Sequence, residues 1–249
     1  MVQFDAKAGL ADLPLAENSY PPEIYARFWV DHYFDETVER VIYLDGDMVV
    51  VGSIAPFLEL EFGDNMLAAV QIPGSIGPSR MGYDPKYGYF NSGMMVINLP
   101  RWRSTHAKQL LIDTAHELAE KLNDPDQDVL NYCFHAQTIK LDYIWNAISP
   151  FFKQINFLAL PQNEISRVVR EVRILHFNGG AKPWIYLCFH PYAKEYLRCV
   201  ERTAWKNFQP SGYSVTTFLK KHVILFLGER RAAALSARVK PVLHAVGLT

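Results

Sequence analysis

Short apolar runs alternate along this chain with segments that repeat apolar residues at helical spacing. Continuous runs lie at 41–44 and 94–97, and a third run at 172–177, also a strand candidate, is interrupted by Arg173 and has His176 near its end. Residues 107–122 form the clearest helical segment. A short, continuous apolar run is typical of a strand buried on both faces, and a 3.6-residue repeat is typical of a helix packed against a sheet. The alternation therefore predicts an α/β layered domain rather than a helical bundle or a β-sandwich.

Composition restricts the class of protein further. The 249 residues carry a formal net charge of −1 and are 49% hydrophobic, which excludes disorder for most of the chain. Because the net charge is close to zero, we expect no nucleic-acid partner. The three cysteines form no Cys-x-x-Cys pair, which favours reduced thiols in a cytoplasm over a disulfide framework or a zinc site.

The ends of the chain bear on its location. The first residues show neither a basic segment nor a long apolar stretch, so no export signal is predicted. The longest apolar run near the carboxyl end, 223–227, is far shorter than the roughly 20 residues that span a bilayer. We therefore expect a cytoplasmic protein that is soluble or peripheral.

The composition changes after about residue 201, where basic residues outnumber acidic ones and are mixed with apolar residues. We therefore expect a domain at 1–200 and a basic, helical tail at 201–249. The basic residues of the tail include Lys206, Lys220, Lys221, Arg230, Arg231, Arg238 and Lys240. One interpretation is an amphipathic helix on an anionic membrane surface, and the other is a solvated terminal helix packed on the domain.

Asp45 and Asp47 stand directly after the apolar run at 41–44. In an extended continuation of the strand, residues at i and i+2 point to the same side. Two carboxylates placed in this way can hold Mg²⁺ or Mn²⁺, which would bind the oxygens of a diphosphate and neutralise charge on a departing phosphate. The alternative is a simple polar turn, because Asp-x-Asp occurs by chance in many chains.

A second candidate group begins at His176, near the end of the run at 172–177. His176 can supply a neutral imidazole to the same cation. Gly179 allows backbone amides to approach phosphate oxygens closely, and Lys182 adds a point positive charge. The alternatives are a core histidine and an ordinary Gly-Gly turn, although these do not account for the Lys-Pro-Trp sequence that follows.

Two polar motifs and one loop complete the set of candidates. Asn91 lies in a Tyr-Phe-Asn-Ser-Gly segment before the run at 94–97, and Asp126 and Gln127 open a helix. Amide and carboxylate groups at such edges can hold sugar hydroxyls, or they can serve as a β-bulge and a helix cap. The Gly, Pro and Ser content rises at 72–86, which predicts a mobile loop over the sheet and a candidate lid.

Taken in order, these motifs resemble those of the family 8 glycosyltransferases, which include bacterial lipopolysaccharide galactosyltransferases and glucosyltransferases and are related to glycogenin. The similarity covers about residues 20–190. Its motifs are Tyr25-Ala26-Arg27, Leu44-Asp45-Gly46-Asp47, Phe90-Asn91-Ser92-Gly93 with Ile97-Asn98-Leu99 and Trp102, Asp126-Gln127-Asp128-Val129-Leu130-Asn131, and His176 with Gly179, Lys182, Pro183 and Trp184.

The resemblance implies a GT-A type fold, with a mixed, mostly parallel sheet flanked by helices. It also implies transfer of a hexose from a UDP-sugar to an acceptor hydroxyl, with retention at the anomeric carbon. In the family, the matching aspartates and histidine hold Mn²⁺ on the diphosphate, which assigns Asp45, Asp47 and His176 as ligands. A carbohydrate or glycolipid acceptor follows from the same resemblance. The basic tail predicts peripheral contact with the inner face of the membrane, where such acceptors reside.

Other roles carry over position by position. Gly179 and Lys182 match phosphate-contacting positions, and Arg27 matches an arginine that orders the donor side. Asn91, Asp126 and Gln127 match residues around the donor sugar, with Gln127 the polar group nearest the reacting face. By this comparison Asp45 is also one of the residues that bind the UDP-sugar donor.

The chain departs from the family pattern before Tyr25. Family members carry there a strand and loop that bind uracil and ribose, and nothing similar is present in this sequence. We therefore expect a nucleotide-binding half that begins at a strand near residues 2–4. By comparison with the family pattern, we expect about 60 residues, or two βα units, to be missing. The alternative function is a non-catalytic relic or binding subunit that keeps the metal site but lacks the uridine pocket, and a nucleotidyltransferase ranks lower because no Gly-rich basic loop is present.

Overall fold

The computed structural model describes residues 10, 12–15, 21–153, 156–180 and 182–227. The expected strand near residues 2–4 and the part of the tail beyond residue 227 lie outside these ranges. The described residues divide into two compact units, one ending at His176 and one beginning at Phe177. The expected domain boundary near residue 200 stays a prediction.

The first unit contains all seven strands of the described residues. They are β1 (Arg40–Leu44), β2 (Met48–Val50), β3 (Leu67–Gln71), β4 (Phe90–Asn98), β5 (Thr138–Leu141), β6 (Ala147–Ile148) and β7 (Ile174–His176). One sheet has the order β1-β4-β3-β5, and a smaller sheet has the order β2-β7-β6. The three apolar runs of the sequence therefore form strands, as predicted.

Among the described residues, five α-helices belong to the first unit and two to the second. They are α1 (Gly77–Met81), α2 (Leu99–Ser104), α3 (Ala107–Glu117), α4 (Pro125–Phe134) and α5 (Gln162–Glu171), followed in the second unit by α6 (Ala193–Val200) and α7 (Val215–Leu227). Segments of 3₁₀ helix cover Pro22–Tyr33, Ala55–Glu59, Pro85–Tyr87, Ala119–Lys121, His135–Gln137, Tyr143–Trp145 and Ser149–Phe152. None of the helices in the described residues has the length and apolar content needed to cross a bilayer.

Strand β4 explains why the first unit is layered. Its successive side chains point to opposite faces, so that Met95 and Ile97 join one apolar core while Met94 and Val96 join another. The first core contains residues from α3, α4 and the segment Pro22–Tyr33. The second contains residues of β2, β7 and the segment Ala55–Glu59. The predicted α/β architecture is confirmed.

The sheets are mixed, as expected, but they are not mostly parallel. β4 pairs antiparallel with both β1 and β3, and β2 pairs antiparallel with β7. Within the part of the chain that the structure describes, only the β3–β5 and β6–β7 strand pairs are parallel. The expectation was wrong on this point because an apolar run encodes burial, whereas strand direction depends on the path of the connection between strands.

The segment at 72–86 differs from the predicted loop. Residues Gly77–Met81 form α1, in which Pro78 occupies one of the first two helical positions, where a missing N–H costs little. Arg80 pairs with the fully buried Asp128 of α4. The prediction of irregular structure is therefore wrong for α1. A proline disrupts the interior of a helix but is tolerated in its first turn.

The second unit has a different surface character. The helix α7 and the residues before it expose large apolar groups, including Trp205, Tyr213, Val215, Leu219 and Phe226. Lys206 and Lys220 are exposed among them. The predicted mixture of basic and apolar residues is thus displayed on the surface of this unit.

Candidate active site

The paired aspartates occupy the turn between two strands that belong to different sheets. Asp45 follows β1, and its N–H donates to the carbonyl of Gly93 in β4 (2.8 Å). The N–H of Met48 donates back to the carbonyl of Asp45 (3.2 Å), which closes the turn. Asp45, Gly46 and Asp47 therefore stand where the chain passes from the four-stranded sheet into the three-stranded sheet.

Strand pairing brings His176 to the aspartates. His176 is the last residue of β7 and lies opposite Met48 of β2. It is 3% exposed, and its Nε2 lies 3.3 Å from Asp47 Oδ1. One ligand atom each from Asp45, Asp47 and His176 lie within 4.8 Å of one another. The structure thus assembles the three residues predicted as metal ligands.

The chemistry of this donor set fits a divalent cation. Carboxylate oxygens are the ligands that Mg²⁺ and Mn²⁺ prefer, and a neutral imidazole is a common ligand of first-row metals. Three side chains cannot complete the octahedral shell of such an ion. The remaining positions would be open to the oxygens of a bound diphosphate.

Gly93 of β4 makes the approach of these side chains possible. A Cβ atom at this position would lie 2.6 Å from His176 Cε1, 2.7 Å from Asp45 Oδ2 and 2.9 Å from Asn91 Oδ1. All three distances are shorter than a carbon atom tolerates. The backbone of β4 is therefore the floor of the cluster, and glycine is required there because it has no side chain.

Arg27 connects the aspartates to helix α4. Its Nη2 donates to Asp45 Oδ1 (3.0 Å), and its Nη1 lies 3.0 Å from Asp126 Oδ2. Nη1 also donates to the carbonyl and the hydroxyl of Ser92, each at 2.9 Å. The guanidinium lies over the ring of Tyr43, 4.5 Å from its centroid. Arg27 thus bridges the metal cluster and the predicted sugar-contacting residues.

Burial and neighbouring charges have opposite effects on the pKa values of Arg27 and Asp126. Burial alone lowers the pKa of Arg27, but the negative charges around it, Asp126 foremost, raise that pKa above its ordinary value. Burial raises the pKa of the Asp126 carboxyl, and the charge of Arg27 and a hydrogen bond from Ser92 oppose this only in part. Arg27 therefore stays a cation, and Asp126 is more easily protonated than an exposed carboxyl.

The residues predicted to surround a donor sugar form one hydrogen-bonded group. Gln127 Oε1 accepts from Asn91 Nδ2 (2.9 Å) and from the N–H of Ser92 (3.0 Å). Ser92 Oγ donates to Asp126 Oδ2 (3.0 Å). Asp126 and Gln127 lie in the first turn of α4, and each is 7% exposed. The structure brings all three predicted residues together beside Arg27.

Gly179 and Lys182 belong to the second unit. Gly179 has a φ of +86°, which favours glycine. Lys182 Nζ donates to the carbonyl of Phe177 (3.0 Å) and lies 5.9 Å from the centroid of the Trp184 ring. Their role in phosphate binding stays a prediction.

Sequence reasoning missed three polar side chains of the site. Tyr43 Oη donates to Asp45 Oδ1 (2.9 Å), Tyr89 Oη accepts from Gln127 Nε2 (3.2 Å), and Asn146 Oδ1 lies 2.9 Å from His176 Nδ1. Tyr43 had a signal, because it shares a strand face with Asp45 two residues later. Asn146 had none, since it lies 30 residues from the histidine it contacts.

The chain is similar to proteins of one known family. The profile of Glycosyl transferase family 8 matches residues 10–188. The lipopolysaccharide glucosyltransferase WaaO of Escherichia coli K12 is 29% identical over 234 residues, which cover 86% of this chain and 66% of that protein. The lipopolysaccharide 1,3-galactosyltransferase of Salmonella typhimurium LT2 is 29% identical over 208 residues, covering 80% and 59%.

Solved structures give the same fold. The galactosyltransferase LgtC, in complex with donor and acceptor sugar analogs, has a TM-score of 0.67 and 24% identity, covering 78% of this chain and 72% of its own. The fold is thus of the GT-A type that the sequence resemblance implied. The chain spans about 60 to 66% of the length of the first curated relatives it matches. With its profile match across most of the sequence, the chain belongs to glycosyl transferase family 8.

Proposed function

We propose that this chain transfers a hexose from a UDP-hexose to an acceptor hydroxyl, with retention at the anomeric carbon and with Mn²⁺ at the aspartate-histidine cluster. The observation that carries the proposal is the convergence of Asp45, Asp47 and His176 within 4.8 Å. Mg²⁺ is the second candidate cation for the same oxygen ligands. When bound, the cation would neutralise negative charge that develops on the departing diphosphate.

The surrounding residues have defined tasks in this proposal. Arg27 holds the Asp45 carboxylate in place through its Nη2, so that the ligand is positioned before a donor arrives. Asn91, Asp126 and Gln127 contact the donor sugar and fix its orientation. Because Gln127 Oε1 already accepts two hydrogen bonds, its main contribution is orientation of the sugar rather than nucleophilic attack. Gly179 and Lys182 contact the phosphates.

The names of the relatives suggest the setting. WaaO is a lipopolysaccharide glucosyltransferase and the Salmonella relative a lipopolysaccharide 1,3-galactosyltransferase. We therefore propose a carbohydrate or glycolipid acceptor and a role in lipopolysaccharide synthesis. The exposed apolar and basic residues of the second unit support peripheral contact with the inner face of the membrane, where such acceptors are anchored.

Titration of UDP into the purified chain tests the proposal, with calorimetry as the readout and Mn²⁺ present or absent. We expect UDP binding that requires Mn²⁺. In the Asp47→Asn variant the metal-dependent affinity should fall by more than about tenfold, because changes outside the ligand shell alone cost about 10- to 100-fold. Release of UDP from UDP-glucose or UDP-galactose then identifies the donor.

Asp64→Asn is the matched control, since Asp64 is a fully exposed carboxylate outside the cluster. This variant should bind UDP as the unchanged chain does. Equal binding by Asp47→Asn and the unchanged chain would remove the metal site from the proposal. Binding of Mn²⁺ without binding of UDP would instead support the relic that keeps a metal site and lacks a nucleotide pocket.

A further inference from the structure

A continuous line of side-chain hydrogen bonds leads from α4 to the metal cluster. It passes through Asp128, Tyr89, Gln127, Asn91, Asn146 and His176. The four links from Tyr89 to His176 measure 3.2, 2.9, 2.8 and 2.9 Å between heavy atoms. Every member lies in the first unit. The line therefore connects the sugar-contacting residues with a metal ligand.

Backbone groups fix the direction of this line at two points. A backbone N–H can only donate, so the Gln127 atom that faces the N–H of Ser92 (3.0 Å) is the amide oxygen. The N–H of Gly93 likewise faces Asn91 Oδ1 (3.2 Å). The orientations of both amides thus follow from the backbone and need no assumption about the side chains.

At the Asp128 end of the line, the direction of the hydrogen bonds is fixed as well. The Asp128 carboxylate accepts from Arg80 Nη1 (2.9 Å) and from the N–H groups of Asn123 (2.8 Å) and Asp124 (3.1 Å). An ionised carboxylate can only accept, so the Tyr89 hydroxyl donates to Asp128. The oxygen of that hydroxyl is then free to accept from the amide nitrogen of Gln127.

Asn146 relates the orientation of the Asn91 amide to the protonation of His176. Asn91 Oδ1 can only accept, so Asn146 must present its amide nitrogen to it. The amide oxygen of Asn146 then faces His176 Nδ1 at 2.9 Å, and Nδ1 must carry a proton. A neutral imidazole has one protonated nitrogen. In the neutral ring, the lone pair is therefore on Nε2, the atom 3.3 Å from Asp47 Oδ1.

We propose that Asn146 is a positioning residue that holds His176 in the Nδ1–H tautomer, with its own orientation set by Asn91. This proposal adds a positioning residue to the metal site proposed above, and the role of that residue depends on the proposed function of the site. Asn146 is 1% exposed, so bulk solvent does not compete with its amide oxygen for Nδ1. Outer residues of this kind fix the ring orientation and tautomer of metal-binding histidines in proteins.

The first test uses the unchanged, metal-free chain. Long-range ¹H–¹⁵N NMR at alkaline pH, where the imidazole is neutral, distinguishes the two tautomers, and a His176→Gln variant assigns the signal. We expect a protonated Nδ1 and an unprotonated Nε2. A protonated Nε2 would overturn the proposal. This readout requires neither metal nor UDP, so it decides the question even if the proposed transferase activity is absent.

The second test removes the acceptor. In Asn146→Leu we expect the Nε2–H tautomer to gain population and the Mn²⁺ affinity to fall by about 10- to 100-fold. In Asn146→Asp a carboxylate oxygen still accepts from Nδ1, so the Nδ1–H tautomer should persist. Unchanged tautomer and Mn²⁺ affinity in Asn146→Leu would contradict the proposal.

Asn98→Leu is the control for loss of stability alone. Asn98 also uses its amide in two hydrogen bonds, to the carbonyl of Asn65 (3.0 Å) and from the N–H of Arg101 (3.3 Å). It lies at the opposite end of β4 from Asn91. This variant should lower the melting temperature and leave the His176 tautomer and Mn²⁺ affinity unchanged. A tautomer shift in Asn98→Leu equal to that in Asn146→Leu would show a global effect and overturn the specific role.

Discussion

Arg27 shows how one residue can hold the candidate site together. Its guanidinium is buried between Asp45 and Asp126, which lie on different elements. A buried carboxylate without a cation is costly, because neither water nor another charge compensates it. The pairing therefore contributes to folding as well as to the position of a metal ligand.

We predict that Arg27→Met lowers the free energy of unfolding by about 3 to 5 kcal/mol, the usual effect of removing one partner of a buried ion pair. The double variant Arg27→Met with Asp126→Asn should recover part of this loss, because the second change removes the uncompensated charge. Urea unfolding of the three proteins measures both effects.

Arg167→Met is the matched control for the loss of an arginine. Arg167 pairs with Asp142 and Glu164, but all three side chains are about 30 to 40% exposed. Exposed pairs contribute about 0 to 1 kcal/mol, so this variant should lose little stability. If Arg27→Met and Arg167→Met lost the same amount, the buried bridge would have no special role in stability.

Strand β4 is the element on which the site is built. Alternate residues of β4 pack into two different apolar cores, and Gly93 faces the metal cluster. The atoms nearest to a Cβ at Gly93 are the ends of side chains. These side chains can move to admit a methyl group, but they then leave their positions in the cluster.

We predict that Gly93→Ala lowers Mn²⁺ affinity by at least about tenfold, the range seen when ligand geometry is disturbed from outside the ligand shell. The loss of stability should be modest, because the backbone is not displaced. Calorimetry with Mn²⁺ and thermal unfolding measure the two quantities separately.

Gly46→Ala provides the control, because a Cβ at Gly46 would have no atom within 4 Å other than those of its two chain neighbours. Its Mn²⁺ affinity should stay close to that of the unchanged chain. A similar loss in Gly46→Ala and Gly93→Ala would mean that any change near the aspartates disturbs the site, and that the clearance at β4 is not specific.

At the scale of the whole molecule, the second unit carries the surface proposed to meet a membrane. Trp205 and Phe226 are 73% and 89% exposed, and Lys206 and Lys220 are exposed as well. Aromatic groups can enter the interface between lipid headgroups and acyl chains, while basic groups are attracted to anionic lipids.

We predict that the double variant Lys206→Glu with Lys220→Glu binds vesicles containing anionic lipid at least about tenfold more weakly. Each basic residue near such a surface contributes about 1 kcal/mol, and reversal replaces attraction by repulsion. Sedimentation with vesicles measures the binding, which should also weaken as salt is raised.

The control reverses two charges in the first unit, Lys121→Glu and Arg170→Glu, both exposed. The net charge of the protein then changes by the same amount. If the two double variants lost binding equally, net charge rather than the surface of the second unit would control attachment. If neither lost binding, the membrane proposal would be wrong.

The sequence by itself determined the layered architecture and the family. Apolar runs and helical repeats are local patterns, and burial follows from them directly. It also placed Asp45, Asp47 and His176 at the ends of strands, because a polar residue that ends an apolar run marks the point where a strand leaves the core. The fold class and these three ligand candidates could therefore be predicted without a structure.

Only the tertiary structure decided strand direction, the clearance at Gly93 and the role of Asn146. Each depends on residues far apart in the sequence, as Asn91 and Asn146 are 55 positions apart. No local pattern reports such a pair. The direction of the hydrogen bonds that reach His176 is set by backbone N–H groups of β4. The N–H of Ser92 acquires its partner, Gln127, only when the sheet and α4 pack together.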